Sequence, residues 1–477
     1  MKTTNAHAST RILRSFITVI VLCTTLFSLS GCSKKDPRED LDAAYQKTFV
    51  ADNPMESVLG LTELTTKLNE NAAHSAGYSF TIQEISGKGL EQYAGFLSGL
   101  GFSVDRASDL LNRKSIATLD ITYAGTTCLT LGGQIQGSEL FFTVPQLLDQ
   151  NVTVDLATMQ EDLTSDSMVA QLLKAYEISL PENLFAELSQ ALATTSENTE
   201  DLLAAWEALD AALLVEKLGK KEISLPENVT AKHVYKVTIP KQAYVDFMNA
   251  YFDYSERSSA ILTNTFAPEE EGGSNSDFAN AKEEFRKLAD SMGDIVVNVA
   301  VTKNGYINYM TSTITAEEDT ATFTATFTGT NAPLEACKLV ADATLDGKAY
   351  HFDLVQEFNP MDKEIDITAK ASKDNTRLFF FDCVGTFENV QKDEKFALDL
   401  DYVELEYGTD FSLSLAGDCC VDTTACNITA PVPSERNLLR MSEADYTALL
   451  QEIEVNLEEN FLLSAVFRML DFGISIK

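Results

Sequence analysis

A long series of alternating polar and apolar residues, from Ile295 to about residue 416, sets the strongest limit on how this chain can fold. Alternation with a period of two places every second side chain on the same side of a β-strand. Threonine occupies one side of segment 320–328, and alanine or phenylalanine occupies the other. Asn304-Gly305 and Asp346-Gly347 separate alternating runs, and both dipeptides favour hairpin turns. The series therefore predicts an antiparallel meander with one polar and one apolar face.

The same pattern predicts the other strands of the chain. Further segments of the meander are predicted at hairpin spacing over 336–345, 349–358, 364–370, 377–387, 395–406 and 410–416. Nearer the amino terminus, apolar residues alternate in three short runs, formed by Tyr78, Phe80 and Ile82, by Leu119, Ile121 and Tyr123, and by Leu140, Phe142 and Val144. Residues 87–113 hold several glycines and are predicted to form a helical or looped insert.

Caps and helical spacing predict the helices. Asn53-Pro54 with Glu56 marks a helix start. Segment 156–219 is rich in Leu, Ala, Glu and Gln, and its last helix is predicted to carry a stripe of Leu202, Trp206, Leu209 and Leu213 that ends at Gly219. Ser442, followed by Asp445, predicts the cap of a terminal amphipathic helix, for which the apolar face of the meander is the expected partner. The string EISLPEN occurs at 177–183 and 222–228, which suggests two equivalent turns.

These elements predict an α+β protein with large antiparallel sheets packed against amphipathic helices. The predicted organisation along the chain is a leader over 1–31, a polar tether over 32–52, an amino-terminal α+β half over 53–155, a helical segment over 156–229, and a carboxy-terminal meander with its closing helix over 230–477. The chain length agrees with at least two domains.

The first 31 residues carry an export signal. Lys2, Arg11 and Arg14 precede an uncharged, mostly apolar run over 15–30, which is the pattern of a signal peptide. The run is short for a membrane-spanning helix. It ends in Leu29-Ser30-Gly31-Cys32, which matches the lipobox of bacterial lipoproteins. That match implies cleavage before Cys32, lipid on its thiol, and an extracytoplasmic protein whose membrane partner is engaged through the acyl anchor.

The mature chain is strongly acidic. Without the three basic residues of the leader, 33 Lys and Arg stand against 72 Asp and Glu, a formal net charge of −39. Such a charge repels phosphate backbones, so nucleic acid is excluded as a partner. The acids are spread along the chain, which favours a solvated surface over a binding patch.

Six cysteines remain after export, and their pairing is left open. Cys419, Cys420 and Cys426 lie close together in a segment where a short loop can be stapled, and Cys337 and Cys383 lie in strand-like runs that can meet across a sheet. Cys128 has no assigned partner. The spacing of these cysteines does not match a zinc site.

No catalytic constellation is found in the sequence. His74, His233 and His351 are isolated from one another, and no metalloprotease, hydrolase, phosphate-loop or dinucleotide motif occurs. Carboxylate pairs such as Asp399 and Asp401 are expected by chance in so acidic a chain. A calcium site on Glu269, Glu270, Glu271, Asn275 and Asp277 does not fit the EF-hand spacing. We therefore predict a protein that is not an enzyme and holds no cofactor or metal.

The lipobox, a helix leading into antiparallel strands, and a meander closed by helices together resemble the LolA and LppX type of lipoprotein carriers over residues 54–477. That family folds as an unclosed β-barrel with helices on its concave side. Segment Glu139–Asp155 also resembles a stretch of large uncharacterised lipoproteins of Gram-positive bacteria. The resemblance implies a half-barrel sheet whose apolar face either packs against helices or leaves a cavity for acyl chains, with Phe323, Phe327, Phe352 and Leu354 among its lining residues.

The leading functional hypothesis is a non-catalytic, membrane-anchored lipoprotein that binds a lipid or another hydrophobic small molecule. An acidic envelope scaffold that binds a protein partner is the alternative, and an enzyme of unrecognised type is the third hypothesis.

Overall fold

The computed structural model describes residues 36–91, 93–163, 167–175, 197–219, 225–226, 229–266, 273–316, 319–329, 334–460 and 463–464. The strands within these residues are β1 His74–Gly87, β2 Leu100–Asp109, β3 Lys114–Tyr123, β4 Thr126–Gln136, β5 Glu139–Thr143, β6 Val152–Asp155, β7 Leu214–Leu218, β8 His233–Ile239, β9 Ile295–Val301, β10 Ile307–Ala316, β11 Asp319–Thr328, β12 Ala336–Leu345, β13 Lys348–Asn359, β14 Glu364–Lys373, β15 Thr376–Gln391, β16 Lys395–Tyr407 and β17 Phe411–Asp422. All paired strands with a described register are antiparallel, which confirms the predicted α+β class.

The described α-helices are α1 Pro37–Tyr45, α2 Pro54–Leu59, α3 Leu61–Asn69, α4 Ala94–Leu97, α5 Met159–Asp162, α6 Met168–Ala175, α7 Glu197–Ala212, α8 Lys241–Phe266, α9 Gly273–Met292 and α10 Glu443–Glu459. A π-helical turn, Gln46–Ala51, continues α1. None of the helices in the described part of the chain has the length and apolar character that a membrane span requires.

The chain forms two compact units, each assembled from separate segments. The first contains the described residues of 1–54, 187–357 and 371–376. The second contains those of 55–186, 358–370 and 377–477. Each unit therefore combines segments that are far apart in the sequence.

The sheet of the first unit has the strand order β7-β8-β9-β10-β11-β12-β13. Both predicted hairpin turns are present. Gly305 has a φ of 83°, and Asp346 and Gly347 have φ of 51° and 70°. Two successive residues with positive φ give a turn whose twist matches that of the flanking strands, so the Asp-Gly dipeptide determines this hairpin locally.

One face of this sheet is covered by helices. Phe323 and Phe327 are only 8% and 7% exposed, and Phe352 and Leu354 pack against the same core. The ring of Phe49 meets that of Phe327 edge-on at 5.1 Å. Of the two alternatives left open by the sequence, packing into a core that includes helical residues therefore holds, with Phe323 and Phe327 buried and Phe352 and Leu354 partly buried against it.

The predicted polar tether over 32–52 is wrong from Pro37 onwards, because this segment is helical and contributes to the core. Leu41 and Ala44 are buried, and they lie three residues apart on one side of α1. The Arg38 guanidinium donates to Asp210 on α7 at 2.6 Å. Among the polar residues that suggested a tether, Asp40 is exposed, whereas Arg38 and Asp42 are half-buried.

The predicted helix ending at Gly219 is shorter than expected. Helix α7 ends at Ala212, and residues Leu214–Leu218 form β7, with Val215 opposite Val237 on β8. Buried Leu213 joins the two elements. The sequence Leu-Val-Glu-Lys-Leu does not alternate, so the pairing with β8 defines this strand and no local pattern predicts it. The first EISLPEN copy lies outside the described residues, and only 225–226 of the second lie within them.

The sheet of the second unit has the strand order β6-β5-β4-β3-β2-β1-β17-β16-β15, with β14 beside β15. Strand β1 pairs with β2 on one side and with β17 on the other, which joins the amino-terminal strands to the last strands of the meander. Strand β2 lies within the predicted insert over 87–113. The described residues between β1 and β2 are looped or helical, and so is the stretch after β2, which contains a 3₁₀ turn over Leu110–Asn112.

Helix α10 begins with the predicted cap but has a different partner. Ser442 and Asp445 form a reciprocal capping box. Leu457 packs with Leu129 of β4, and Leu449 packs with Val152 of β6. The expectation that this helix covers the carboxy-terminal meander is therefore wrong. The segment before the helix runs along β6, where Leu438 donates its backbone N–H to Thr153, and this contact places α10 over the amino-terminal strands.

Helices α2 and α3 cover the other end of the same sheet. Leu59 is fully buried against Phe358, Ile365 and Phe387. The helix starts at Pro54 as predicted, and it breaks at Gly60, whose φ of 67° interrupts helical geometry.

Candidate ligand-binding face

The strand register defines two faces of the second sheet. Residues directly opposite each other on antiparallel strands point to the same side. Tyr78 is opposite Val104, which is opposite Leu119, which in turn is opposite Leu131. We call this side of the sheet the apolar face, and across its middle strands it carries Tyr78, Phe80, Ile82, Leu100, Phe102, Val104, Leu119, Ile121, Tyr123, Leu129, Leu131, Leu415, Cys419 and Val421.

The opposite side of the same strands is polar. Ser79 lies between Asp418 and Ser103, and its hydroxyl donates to the Asp418 carboxylate. The Thr130 hydroxyl likewise donates to Asp120 on the neighbouring strand. The sheet therefore separates apolar from charged side chains.

The apolar face is covered at its two ends and is accessible between them. Leu129, beneath α10, is 7% exposed. By contrast Tyr78, Phe102 and Leu131 are 48%, 38% and 39% exposed. Single exposed apolar residues are common, but a contiguous group on one face of a sheet is typical of a binding surface.

Along the strands, the apolar face becomes polar at one end. Arg106 follows Val104 on the same side of β2, opposite Ala76 and Ala117. One step further, Ser108 lies opposite His74 and Ser115. Arg106 Nη2 donates to Ser108 Oγ at 3.3 Å. No ion pair between described residues includes Arg106.

The space beside Arg106 is open. Gly133 lies opposite Ala117 in the same row, and a Cβ added there would meet no heavy atom within 4 Å. The three small residues of this row, Ala76, Ala117 and Gly133, leave room above the sheet around the guanidinium group.

A second candidate site is a polar pocket of about 380 Å³ between α10 and the segment before it. Its cations already have partners, since Arg436 pairs with Glu452 at 2.8 Å and Arg440 with Asp162 at 2.7 Å. Burial alone would raise the pKa of Asp162, but hydrogen bonds from Arg440, Thr158 and Asn437 outweigh it and leave the pKa below its ordinary value. This pocket is best explained as a structural network.

The residues predicted from sequence to carry chemistry are not brought together. Cys32 lies outside the described residues, as do Glu269, Glu270 and Glu271. His351 is paired with Asp342 at 2.8 Å, and the His74 ring is hydrogen-bonded to the carbonyl oxygen of Ala72. Within the described residues, no group of three His, Cys, Asp or Glu side chains is arranged to hold a metal.

The six described cysteines are free thiols. Cys419 and Cys420 are adjacent on β17, and neither forms a disulfide with the other or with Cys426, so the short stapled loop that the sequence left open is absent. Burial raises the pKa of Cys337 to about 11 and also raises that of Cys128 and Cys383. A raised pKa keeps a thiol protonated, which makes these cysteines poor nucleophiles.

No family model matches the chain, and no curated protein matches it. Among solved structures, OpdQ of Pseudomonas aeruginosa aligns over 73% of this chain and 96% of its own, with 6% identity and a TM-score of 0.11. A variant of the vaccine antigen transferrin-binding protein B of Haemophilus parasuis aligns over 74% of this chain and 75% of its own, with 8% identity and a TM-score of 0.10. Scores this low do not establish a shared fold, so the class is defined by the structure alone as an α+β protein built on antiparallel sheets.

Proposed function

We propose that this protein is an exported, non-catalytic lipoprotein that is anchored through lipid on Cys32 and binds a hydrophobic ligand on the apolar face. The ligand-binding part of the proposal rests on the exposure of Tyr78, Phe102 and Leu131 to solvent on the apolar face. The lipobox at Cys32 carries the anchoring part.

Burial of apolar area supplies the driving force for such a ligand. Each methylene that leaves water contributes roughly 0.8 kcal/mol, so an acyl chain laid across several rows of the apolar face gains several kcal/mol. The side chains of this face also lose exposure when the ligand binds. The proposed site therefore differs from that inferred from sequence, since Phe323 and Phe327 are already packed in the first unit.

Substitution of the two leader-region cysteines tests anchoring. With labelled palmitate supplied to the producing cells, Cys32→Ala is expected to abolish labelling of the protein and to retain the leader. Cys23→Ala is the matched control, because it removes a thiol inside the leader, and labelling is expected to persist. Labelled Cys32→Ala protein would contradict the anchor.

Extraction of bound lipid tests the ligand. Organic solvent removes non-covalent lipid from the purified full-length protein and leaves covalently attached acyl groups behind, so mass spectrometry of the extract reports only the ligand. Leu131→Glu places a charge on the apolar face and is expected to reduce the recovered lipid strongly. Thr127→Glu, on the polar side of the same strand, is expected to leave it unchanged. Wild-type protein that yields no lipid and binds no added lipid would refute the proposal.

An interaction with a basic protein is the second candidate function. It is favoured by the polar side of the sheet, where Asp399 lies directly opposite Asp418 although like charges in such pairs are destabilising. Binding of this kind is expected to weaken with salt and after Asp399→Asn. A partner whose binding is insensitive to both would count against it.

A further inference from the structure

We infer that the ligand of the apolar face is a fatty acid whose carboxylate is bound by Arg106. This inference rests on the proposed function and specifies its ligand class.

Charge on the apolar face is confined to one end. Among the positions of β17, β1, β2, β3 and β4 that share this face, Arg106 is the only Lys or Arg, and no Asp or Glu occurs. The acids of these strands, such as Asp105, Asp120 and Asp418, lie on the opposite side. A ligand on the apolar face therefore meets one positive charge and no negative charge, which favours a single anionic group.

The chemistry around Arg106 suits a carboxylate. A guanidinium group binds a carboxylate through two parallel hydrogen bonds, and such charge-assisted bonds are among the strongest in proteins. Arg106 is exposed, and it donates only to Ser108 Oγ among its described hydrogen bonds. The Ser108 hydroxyl is fully buried and donates in turn to Ser115 Oγ at 3.5 Å, so it holds the guanidinium group in place and leaves the remaining N–H donors of Arg106 for the anion.

The length of the apolar surface suits one acyl chain. Phe102 and Arg106 are four residues apart on β2, which corresponds to about 13 Å of extended strand, and Leu100 beyond Phe102 is buried. One leaflet of a bilayer has a hydrocarbon thickness of about 15 Å, which is the depth that its acyl chains span. A chain lying along β2 over Val104 and Phe102 can therefore place its head at Arg106 and end where the accessible surface stops, beside buried Leu100.

Competition between palmitate and its uncharged analogue hexadecanol tests the inference. The full-length protein, freed of bound lipid, is titrated with each compound at pH 8, where palmitate is ionised. Wild-type protein is expected to bind palmitate more tightly than hexadecanol. Arg106→Gln is expected to weaken palmitate binding about 10- to 100-fold, the range for loss of a hydrogen-bonded charge partner, and to change hexadecanol binding by less than about twofold.

Two further variants separate charge from fold. Arg106→Lys retains the positive charge and is expected to retain part of the preference for palmitate. Lys114→Gln removes a cation from the polar side of the adjacent strand β3 and is expected to leave both affinities unchanged. Unaltered far-ultraviolet circular dichroism of the variants verifies that they are folded.

The possible outcomes distinguish the two proposals. Equal affinity of the wild-type protein for both compounds, or equal loss of both in Arg106→Gln, refutes the role of Arg106 while ligand binding stands. Binding to phosphatidylglycerol vesicles without binding to palmitate refutes the fatty acid as the ligand. No binding of either compound or of vesicles refutes the proposed function itself.

Discussion

The Thr48 side chain links the amino-terminal helix to the sheet of the first unit. It is fully buried, its hydroxyl donates to the carbonyl oxygen of Ala44 at 2.6 Å, and it accepts the backbone N–H of Ile307 at 2.9 Å. Ile307 is the first residue of β10 and is itself fully buried. Thr48 therefore satisfies a backbone donor that water cannot reach.

Thr48→Val keeps the shape of the side chain and removes the hydroxyl. The N–H of Ile307 then loses this acceptor inside the core, and a buried unsatisfied polar group costs about 1–3 kcal/mol. The carbonyl oxygen of Ala44 also loses the Thr48 hydroxyl as a donor, but a carbonyl oxygen that lacks one partner is tolerated better than an unpaired N–H group. We expect the free energy of unfolding of the first unit to fall by about 2 kcal/mol.

Tryptophan fluorescence measures this effect in the first unit selectively. Trp206 is the only tryptophan in the chain, and its ring meets that of Phe247 at 5.5 Å within the same core. With a urea dependence of about 2 kcal/mol per molar, the midpoint of the Trp206 transition is expected to fall by about 1 M.

Two control variants complete the test. Thr48→Ser retains the hydroxyl and is expected to lower the midpoint less than Thr48→Val does. Thr66→Val removes a hydroxyl that bonds a helical carbonyl on the exposed side of α3 in the second unit, and it is expected to leave the Trp206 transition unchanged. An unchanged midpoint in Thr48→Val would refute the reasoning about the Ile307 donor.

Two other buried polar groups are expected to affect stability in opposite directions, since the Ser312 hydroxyl destabilises the fold and the Asp162 carboxylate stabilises it. The Ser312 hydroxyl is buried and has no hydrogen-bond partner among the described residues. Ser312→Ala is therefore expected to raise the free energy of unfolding of the first unit by about 1 kcal/mol, measured by urea unfolding through Trp206 fluorescence. A lower urea midpoint in this variant would contradict the prediction. Asp162 has a pKa below its ordinary value when folded, so its stabilising contribution is complete above about pH 4 and is lost as the pH falls through the folded pKa. Thermal unfolding of wild-type protein is therefore expected to depend more steeply on pH below pH 4 than that of Asp162→Asn, and parallel curves would exclude this role.

Strand β2 shows why one element escaped sequence-based prediction. Its glycine-rich start suggested a loop, yet Gly101 lies in the strand between Thr122 and Thr81, and an added Cβ would collide with the Thr122 hydroxyl. The glycine permits close approach of neighbouring strands and does not mark a turn. The alternation of Leu100, Phe102 and Val104 is the sequence signal for this strand that the prediction missed.

Short-range preferences of the chain determined much of the secondary structure. Asp346-Gly347 turns because its two residues adopt positive φ, and α10 starts at Ser442 because a side chain three residues away completes the cap. Both depend on neighbours within a few residues, so they can be predicted without a fold. The alternating segments likewise predicted which side chains share a face.

Only the tertiary structure decided which apolar surfaces are covered. Phe323 and Phe327, for which the sequence left open either packing against helices or a cavity, are buried in the core of the first unit, whereas Tyr78 and Phe102 remain accessible. Alternation produces an apolar face in both sheets, and it carries no information about the partner that covers it. Which helix covers which sheet depends on contacts between residues hundreds of positions apart, such as those that place α10 over β4. The part of the apolar face that no helix covers ends at Arg106.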